Sequence, residues 1–286
     1  MDRTTAERTT TAGELILVAN EKSGDGAMPT GLFDGFERVT VESMDDALDD
    51  ADLGPDTLVA VWGGDGTCRS VAQHLAGTQA VLLPCPGGTW NHFARAARLA
   101  LIDDVEEALH SRHREQVDVG WANDLLFLNN LSIGWYVDLV ARRERYERRL
   151  PRRAAKVLSS IVQLARTRRT RVTVDGVQER VWMVWVGNGQ YSLSPTELAE
   201  RADLADGVLD LRILRAGHHF PKIGALMTLL LGRVGTSHRV DRRIVASCTL
   251  SPAHVDTRVA LDGELVRLPG PISVRCGRRQ LTIAVP

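Results

Sequence analysis

The sequence predicts an α/β protein: a parallel-sheet domain at the N-terminus, then a mainly β, sandwich-like domain. Three observations predict it. From Leu15 to about Val119 short apolar runs alternate with helical stretches, which is the rhythm of a mostly parallel sheet covered by helices. After Trp121 that rhythm gives way to short β-rich segments separated by turn residues. The length, 286 residues, suits two domains of ordinary size better than one.

In the first half, Leu15–Ala19, Arg38–Val41, Leu58–Trp62, Val81–Leu83 and Gln116–Val119 read as strands. Met44–Ala51, Thr67–Leu75, Asn91–Leu99 and Val105–Leu109 read as the helices between them. This gives a Rossmann-like domain over 13–121, preceded by a polar, Thr-rich tail over 1–12. The β-rich domain runs over 122–286, with the last strands able to pack back near the first domain. Its strands are read at Leu125–Asn130, Arg171–Val174, Val181–Val186, Leu209–Leu214, Ile244–Leu250, Arg258–Leu261, Ile272–Arg275 and Leu281–Val285. Turns are marked by Asp175-Gly176, Asp206-Gly207 and Asp262-Gly263. Two helical pieces interrupt this domain, a basic one around Arg142–Arg169 and Phe220–Leu231.

Composition excludes several classes. With 44% hydrophobic and 25% charged residues the chain is globular, and a formal net charge of −1 gives no global attraction to nucleic acid. Four scattered cysteines, Cys68, Cys85, Cys248 and Cys276, make no C-x-x-C pair, which argues against a zinc site or a disulfide framework and fits a reducing, cytoplasmic setting. The apolar run Ile223–Leu231 is too short to span a bilayer.

The sharpest local feature is Gly63-Gly64-Asp65-Gly66-Thr67, directly after one strand and before a helix. Glycines there are expected to take positive φ and turn several N–H groups into one concave surface. With Thr67 at the N-cap position and the helix dipole behind it, the turn is suited to phosphate. Asp65 is out of place in a pure anion site unless a cation accompanies the phosphate, which implies a magnesium–nucleotide complex. A second loop, Pro84-Cys85-Pro86-Gly87-Gly88-Thr89-Trp90-Asn91-His92-Phe93-Ala94-Arg95, follows the next strand and also leads into a helix. A third, Asn20-Glu21-Lys22-Ser23-Gly24, follows the first strand. Ligands of parallel sheets bind beyond the carboxyl ends of the strands, where all three loops lie. No P-loop and no G-x-G-x-x-G is present.

The glycine loop, followed about twenty residues on by P-x-G-T-x-N-x-F-A-R, resembles the catalytic domain of diacylglycerol kinases and their relatives, sphingosine kinases and bacterial lipid kinases among them. The resemblance extends through Thr40, Asp118 in Val-Asp-Val-Gly, Asn130 and Gly134, Gly187-Asn188, Asp206-Gly207-Val208-Leu209-Asp210 and Asp262-Gly263-Glu264. It implies an ATP-dependent kinase acting on a hydroxyl of a membrane lipid such as diacylglycerol. Asn20, Ser23, Gly24, Thr40, Gly63, Gly64, Asp65, Gly66, Thr67, Cys68, Arg69, Gly88 and Thr89 would surround ATP. Asp65 and Asp118 would belong to the carboxylate and water network around Mg2+. A structural metal would lie near Asp206 and the Val208 carbonyl, with Asp203 nearby, and Asp262 or Glu264 would supply the base.

Three positions depart from the family pattern: Glu21 where Pro is usual, His92 where many members have Asp, and Asp203 where another ligand is expected. Asp262 and Glu264 would point to opposite sides of a strand, so one of them is expected to face the cleft, and Glu264 is the preferred base. The competing readings are an enzyme like the NAD kinases, which share G-G-D-G-T, and a catalytically weak nucleotide- or lipid-binding protein.

A soluble kinase with a lipid substrate must dock on a bilayer. Residues 141–171 carry twelve Lys/Arg against two Glu, with Ala154, Val157, Leu158, Ile161, Val162 and Leu164 at helical spacings. This basic amphipathic segment predicts peripheral contact with an anionic membrane, at the inner face. With Tyr146 as its one aromatic side chain for stacking, it does not suit nucleic acid. Edge strands of the β domain permit a homodimer without requiring one.

Overall fold

The computed structural model describes residues 14–20, 28–29, 31–134, 137, 169–192, 201, 203–216, 240–253 and 256–286. Ser23, Gly24, the tail, residues 141–168 of the basic segment and Phe220–Leu231 lie outside the described residues.

The first half contains β1 (Leu15–Ala19), β2 (Glu37–Thr40), α1 (Met44–Asp50), β3 (Leu58–Gly63), α2 (Asp65–Leu75), β4 (Val81–Pro86), α3 (His92–Ala96), α4 (Ile102–Ser111) and β5 (Arg114–Ala122). β2, β1, β3 and β4 lie side by side in that order and run parallel. β3 is buried at all six positions, because helices cover both faces of the sheet. α2 turns Cys68, Val71, Ala72 and Leu75 inward, an i, i+3, i+4, i+7 stripe. Burying a Val or Leu side chain of this kind is worth about 1.5–3 kcal/mol. α4 starts where the Asp104 carboxylate accepts the Leu101 amide at 2.8 Å.

The second half contains β6 (Leu125–Phe127), β7 (Asn130–Gly134), β8 (Thr170–Val174), β9 (Val177–Asn188), β10 (Leu209–Arg215), β11 (Val240–Val245), β12 (Ser247–Pro252), β13 (Asp256–Leu261), β14 (Glu264–Pro269) and β15 (Ile272–Ala284). All strand pairs within it are antiparallel. β15 belongs to both halves. Its start pairs with β12, Val274–Gly277 and Leu281–Ala284 run against β5, and Thr282 and Ile283 lie parallel to Val81 and Leu82 of β4. Two apolar cores result. One is built on residues from the first half plus Leu126, Leu128, Leu281, Ile283, Ala284 and Val285, and the other on Ala122, Phe127 and residues of β7 to β15.

Four boundaries differ from the sequence reading. Leu125–Asn130 is two strands, β6 and β7, and the interruption at residues 128–129 carries side-chain chemistry described below. Ile244–Leu250 breaks at Ala246 into β11 and β12. The last two expected strands are one, β15, whose register shifts between Gly277 and Leu281 around Arg279 at φ 49°. That bulge reads as a turn because its residues, Arg278-Arg279-Gln280, are polar. β14 (ELVRLP), which opens on an exposed Glu264 and buries only Leu268, is a strand the sequence reading does not include.

The register fixes where the loops go. Ala19 pairs with Trp62 and Thr40, and Trp62 with Cys85, so β1 to β4 end in one line. Asn20, Gly63 and Pro86 therefore emerge side by side at the carboxyl edge of the sheet.

Candidate phosphate and acceptor site

The two glycine loops lie against each other at this edge. Gly64 precedes α2 at φ −89°, and none of Gly63, Gly64, Gly66, Gly87 and Gly88 takes a positive φ, contrary to expectation. Glycine is required here for space. A Cβ on Gly88 would stand 2.4 Å from the Gly64 Cα, backbone against backbone. Asn91, left-handed at φ 50°, locks the second loop by accepting the Gly88 amide and donating to the Gly88 carbonyl, both at 2.8 Å.

α2 begins at Asp65, so Thr67 sits inside its first turn and not at the cap. Its hydroxyl accepts from Asn20 Nδ2 at 2.9 Å, which ties the β1 end to the glycine loop. Thr40, at the end of β2, pairs its hydroxyl with that of Ser43 at 3.0 Å, and Thr89 is exposed. Cys68 points into the core, and burial, reinforced by Asp65, Cys85 and Asp262, pushes its thiol well above the usual range. Its amide bonds the Gly64 carbonyl. Cys68 therefore supports the loop from below and offers no free group to a ligand.

Asp65 joins the two loops. Its carboxylate accepts the His92 amide at 3.1 Å and the Phe93 amide at 3.0 Å, so it caps α3 from a neighbouring helix. It also accepts from Asn129 Nδ2 at 3.2 Å. The departure at His92 thus leaves this contact intact, because Asp65 uses the backbone there. The His92 ring stacks on Trp90, 5.9 Å between centroids and 3° from parallel.

Asn129, which sequence reasoning passed over inside an expected strand, links the halves. Besides holding Asp65, it donates its amide to Asp262 Oδ1 at 2.7 Å, and its carbonyl accepts from Tyr191 Oη at 2.9 Å. Burial pushes the Tyr191 phenol up to about 12, so it stays a donor. Asp262 accepts the amides of Leu128 and Asn130 as well, at 2.7 and 2.9 Å.

Burial nevertheless raises the Asp262 carboxyl to about 6, with the three amides opposing and Asp65 adding to the rise. The unfolded chain ionises this group near the ordinary carboxylate value, and the folded chain only near 6. Its contribution to stability is therefore full below about pH 4 and lost as pH rises through 6, at most about 3 kcal/mol. Urea unfolding at pH 4 to 7 is expected to show the wild type losing stability relative to Asp262→Asn across that window. Parallel curves would refute the assignment.

The Asp262-Gly263 pair is a two-residue hairpin turn, both residues at positive φ, 49° and 84°. The expected strand alternation between Asp262 and Glu264 is thereby broken, and both carboxylates reach the seam. Asp262 is held by the backbone of 128–130. The Glu264 side chain is 52% exposed, bonds Arg69 Nη2 at 3.0 Å, and crosses over Gly66 so closely that a Cβ there would lie 1.8 Å from Oε1. Arg69 is buried on α2, and its Nε has no hydrogen-bond partner.

The family model of the diacylglycerol kinase catalytic domain matches residues 14–122, the span that holds both glycine loops. That of the YegS C-terminal NAD kinase beta sandwich-like domain matches residues 133–285. The chain belongs to the diacylglycerol kinase catalytic-domain family, among its YegS-like lipid kinases, which are phosphotransferases. A Pseudomonas aeruginosa (strain PAO1) protein named "Probable lipid kinase YegS-like" is 32% identical over 214 residues, 73% of this chain and 70% of that one. A Pseudomonas putida protein of the same name is 32% identical over 180 residues, 61% of this chain and 60% of its own length. The crystal structure of a diacylglycerol kinase from Bacillus anthracis str. Sterne superposes with a TM-score of 0.64 at 20% identity. It covers 97% of this chain and 98% of its own, a likeness of fold.

For a member of this family, the second acidic cluster is organised differently from expectation. Asp118 is 2% exposed, and its two oxygens accept the Gly207 amide at 2.6 Å and the Arg279 amide at 2.7 Å. Asp206 accepts the Gln190 amide at 2.8 Å, and the Val208 carbonyl accepts the Gly189 amide at 2.9 Å. Asp203 accepts the Ala205 amide. Backbone amides donating to these groups tie the 203–208 loop to β5 and to the residues that follow β9, and Asp118 to β15. Among the described residues no group of three or more His, Cys, Asp or Glu side chains converges as a cation's ligands. Asp118, expected beside Mg2+, thus spends one lone pair of each oxygen on a backbone amide, as does Asp206, expected near a structural metal with the Val208 carbonyl. Asn188, on the family's Gly187-Asn188, braces this arrangement by donating to the carbonyls of Asp118 and Leu128.

Proposed function

We propose that the protein transfers the γ-phosphoryl group of ATP to a hydroxyl of a membrane lipid such as diacylglycerol. The observation that carries this reading is the convergence at one sheet edge of two apposed glycine loops, the Asp65 carboxylate that joins them, and the Arg69–Glu264 pair over Gly66. Phosphoryl transfer requires positioning and charge stabilisation more than covalent help. The start of α2 supplies N–H groups and the positive end of its dipole. Arg69 lies one turn into that helix, and the Nη2 that holds Glu264 is of the kind that clasps a phosphoryl oxygen.

Magnesium, held by ATP, would offset charge at the bridging and terminal oxygens. Asp65 suits it as an oxygen donor acting through water, since Oδ1 accepts both the Phe93 amide and Asn129 Nδ2 while Oδ2 accepts the His92 amide alone and keeps a lone pair. Glu264, the exposed carboxylate at the seam, would accept the proton of the acceptor hydroxyl as its oxygen attacks.

The reading places the protein in the cytoplasm, docked peripherally on the inner membrane face through residues 141–171. Among the described residues no helix is long and apolar enough to cross a membrane. The test is transfer of label from γ-labelled ATP with magnesium to a total lipid extract in anionic vesicles, with NAD as a parallel acceptor. A labelled lipid is expected. Label on NAD and none on lipid would overturn the lipid assignment, and nucleotide binding without transfer would overturn catalysis.

A further inference from the structure

The Glu264 side chain is placed where a kinase would want its phosphate. The start of α2 has no side-chain cap from Gly64 and carries the positive end of the helix dipole, and Glu264 Oε1 lies over Gly66 in that first turn. The same carboxylate holds Arg69, whose buried guanidinium has an unpartnered Nε. A carboxylate bonded to Arg69 and lying over Gly66 takes both the guanidinium and the space that a phosphoryl group seated at this helix start would use. The absence of a side chain at residue 66 is what lets it come so near, since any Cβ there would collide with it. Its anchor is the two-residue turn at Asp262-Gly263, fixed by three amides on Asp262, so the side chain above the turn can rotate while its base stays in place.

We propose that Glu264 is a built-in competitor for the phosphate seat: its carboxylate and the phosphate of the nucleotide exclude each other over Gly66 and on Arg69. Nucleotide entry then draws Arg69 to the phosphate and turns Glu264 outward, towards the acceptor hydroxyl. The base is thereby released when the donor arrives, and the carboxylate is kept from acting before both are in place. This inference rests on the kinase reading above.

The consequence is that removing a group needed for turnover should improve nucleotide binding. Calorimetric titration with a non-hydrolysable ATP analogue and magnesium is expected to show Glu264→Gln and Glu264→Ala binding about 3- to 10-fold more tightly than the wild type. Glu264→Asp separates local occupancy from general charge. It keeps the negative charge but is one methylene shorter and falls short of Gly66, so it should bind more tightly as well. If the wild type binds the analogue and the Gln and Ala variants bind it equally or more weakly, the competition is refuted while the kinase reading stands. If Gln and Ala bind more tightly and Asp matches the wild type, the effect is long-range charge and the proposal also fails. If no form binds the analogue, the kinase reading falls and takes this inference with it.

Discussion

Asp65→Asn is expected to lower phosphoryl transfer by about 10²- to 10³-fold, the loss typical of removing one preorganised electrostatic group. One carboxylate receives the first two amides of α3 and the side chain of Asn129, so it holds the second glycine loop against the first and joins both to the β half. An amide of the same shape must turn its NH2 towards a donor it formerly accepted. That leaves at least one N–H facing another, at a cost of about 1–3 kcal/mol. The loops then lose their mutual position, and the negative charge beside the nucleotide's cation is gone. Turnover on lipid vesicles, read beside the melting temperature, distinguishes the two losses. A folded Asp65→Asn protein with activity within three-fold of wild type would remove Asp65 from the site.

The rhythm of the first half was legible because parallel strands buried on both faces are apolar runs, and because glycine loops fall at their carboxyl ends, where the register then aligns Asn20, Gly63 and Pro86. The hairpins at Asp175-Gly176 and Asp262-Gly263 were legible from turn chemistry, and both pairs take the positive φ values it demands. The reason for the glycines was misread. Local chemistry suggests positive φ, whereas the need comes from a second loop that approaches only in the folded chain.

The missed residues share that cause. Asn129 reaches Asp65 across 64 positions and Asp262 across 133, and Tyr191 returns to the Asn129 carbonyl across 62. Nothing in a local pattern distinguishes Asn129 from its neighbour Asn130, because each partner arrives on a different element. Asp118 illustrates the converse. Its place in the motif implies a neighbour of magnesium, and its environment gives it a further task no local pattern shows, accepting two backbone amides at a buried loop crossing. A carboxylate's sequence context announces that it is needed, and the fold decides which donors consume it.

The two acidic residues of the β13–β14 hairpin should therefore separate cleanly when substituted. Asp262 is spent on three amides, so its loss acts through the position of residues 128–130 and through the pH dependence of stability. Glu264 has half its surface exposed and a single ion pair, which makes it the carboxylate free to take a proton. Glu264→Gln keeps the length of the side chain, loosens its hold on Arg69 by removing the charge, and abolishes that capacity. It is expected to lower kcat by about 10²- to 10⁴-fold, the range of a general base, with no rise in the KM for ATP. Steady-state kinetics over a range of ATP concentrations at saturating lipid would read both parameters. Retention of kcat within a few-fold would show that the acceptor proton leaves by another route, and a matching rise in KM would mark Glu264 as a binding group for the nucleotide.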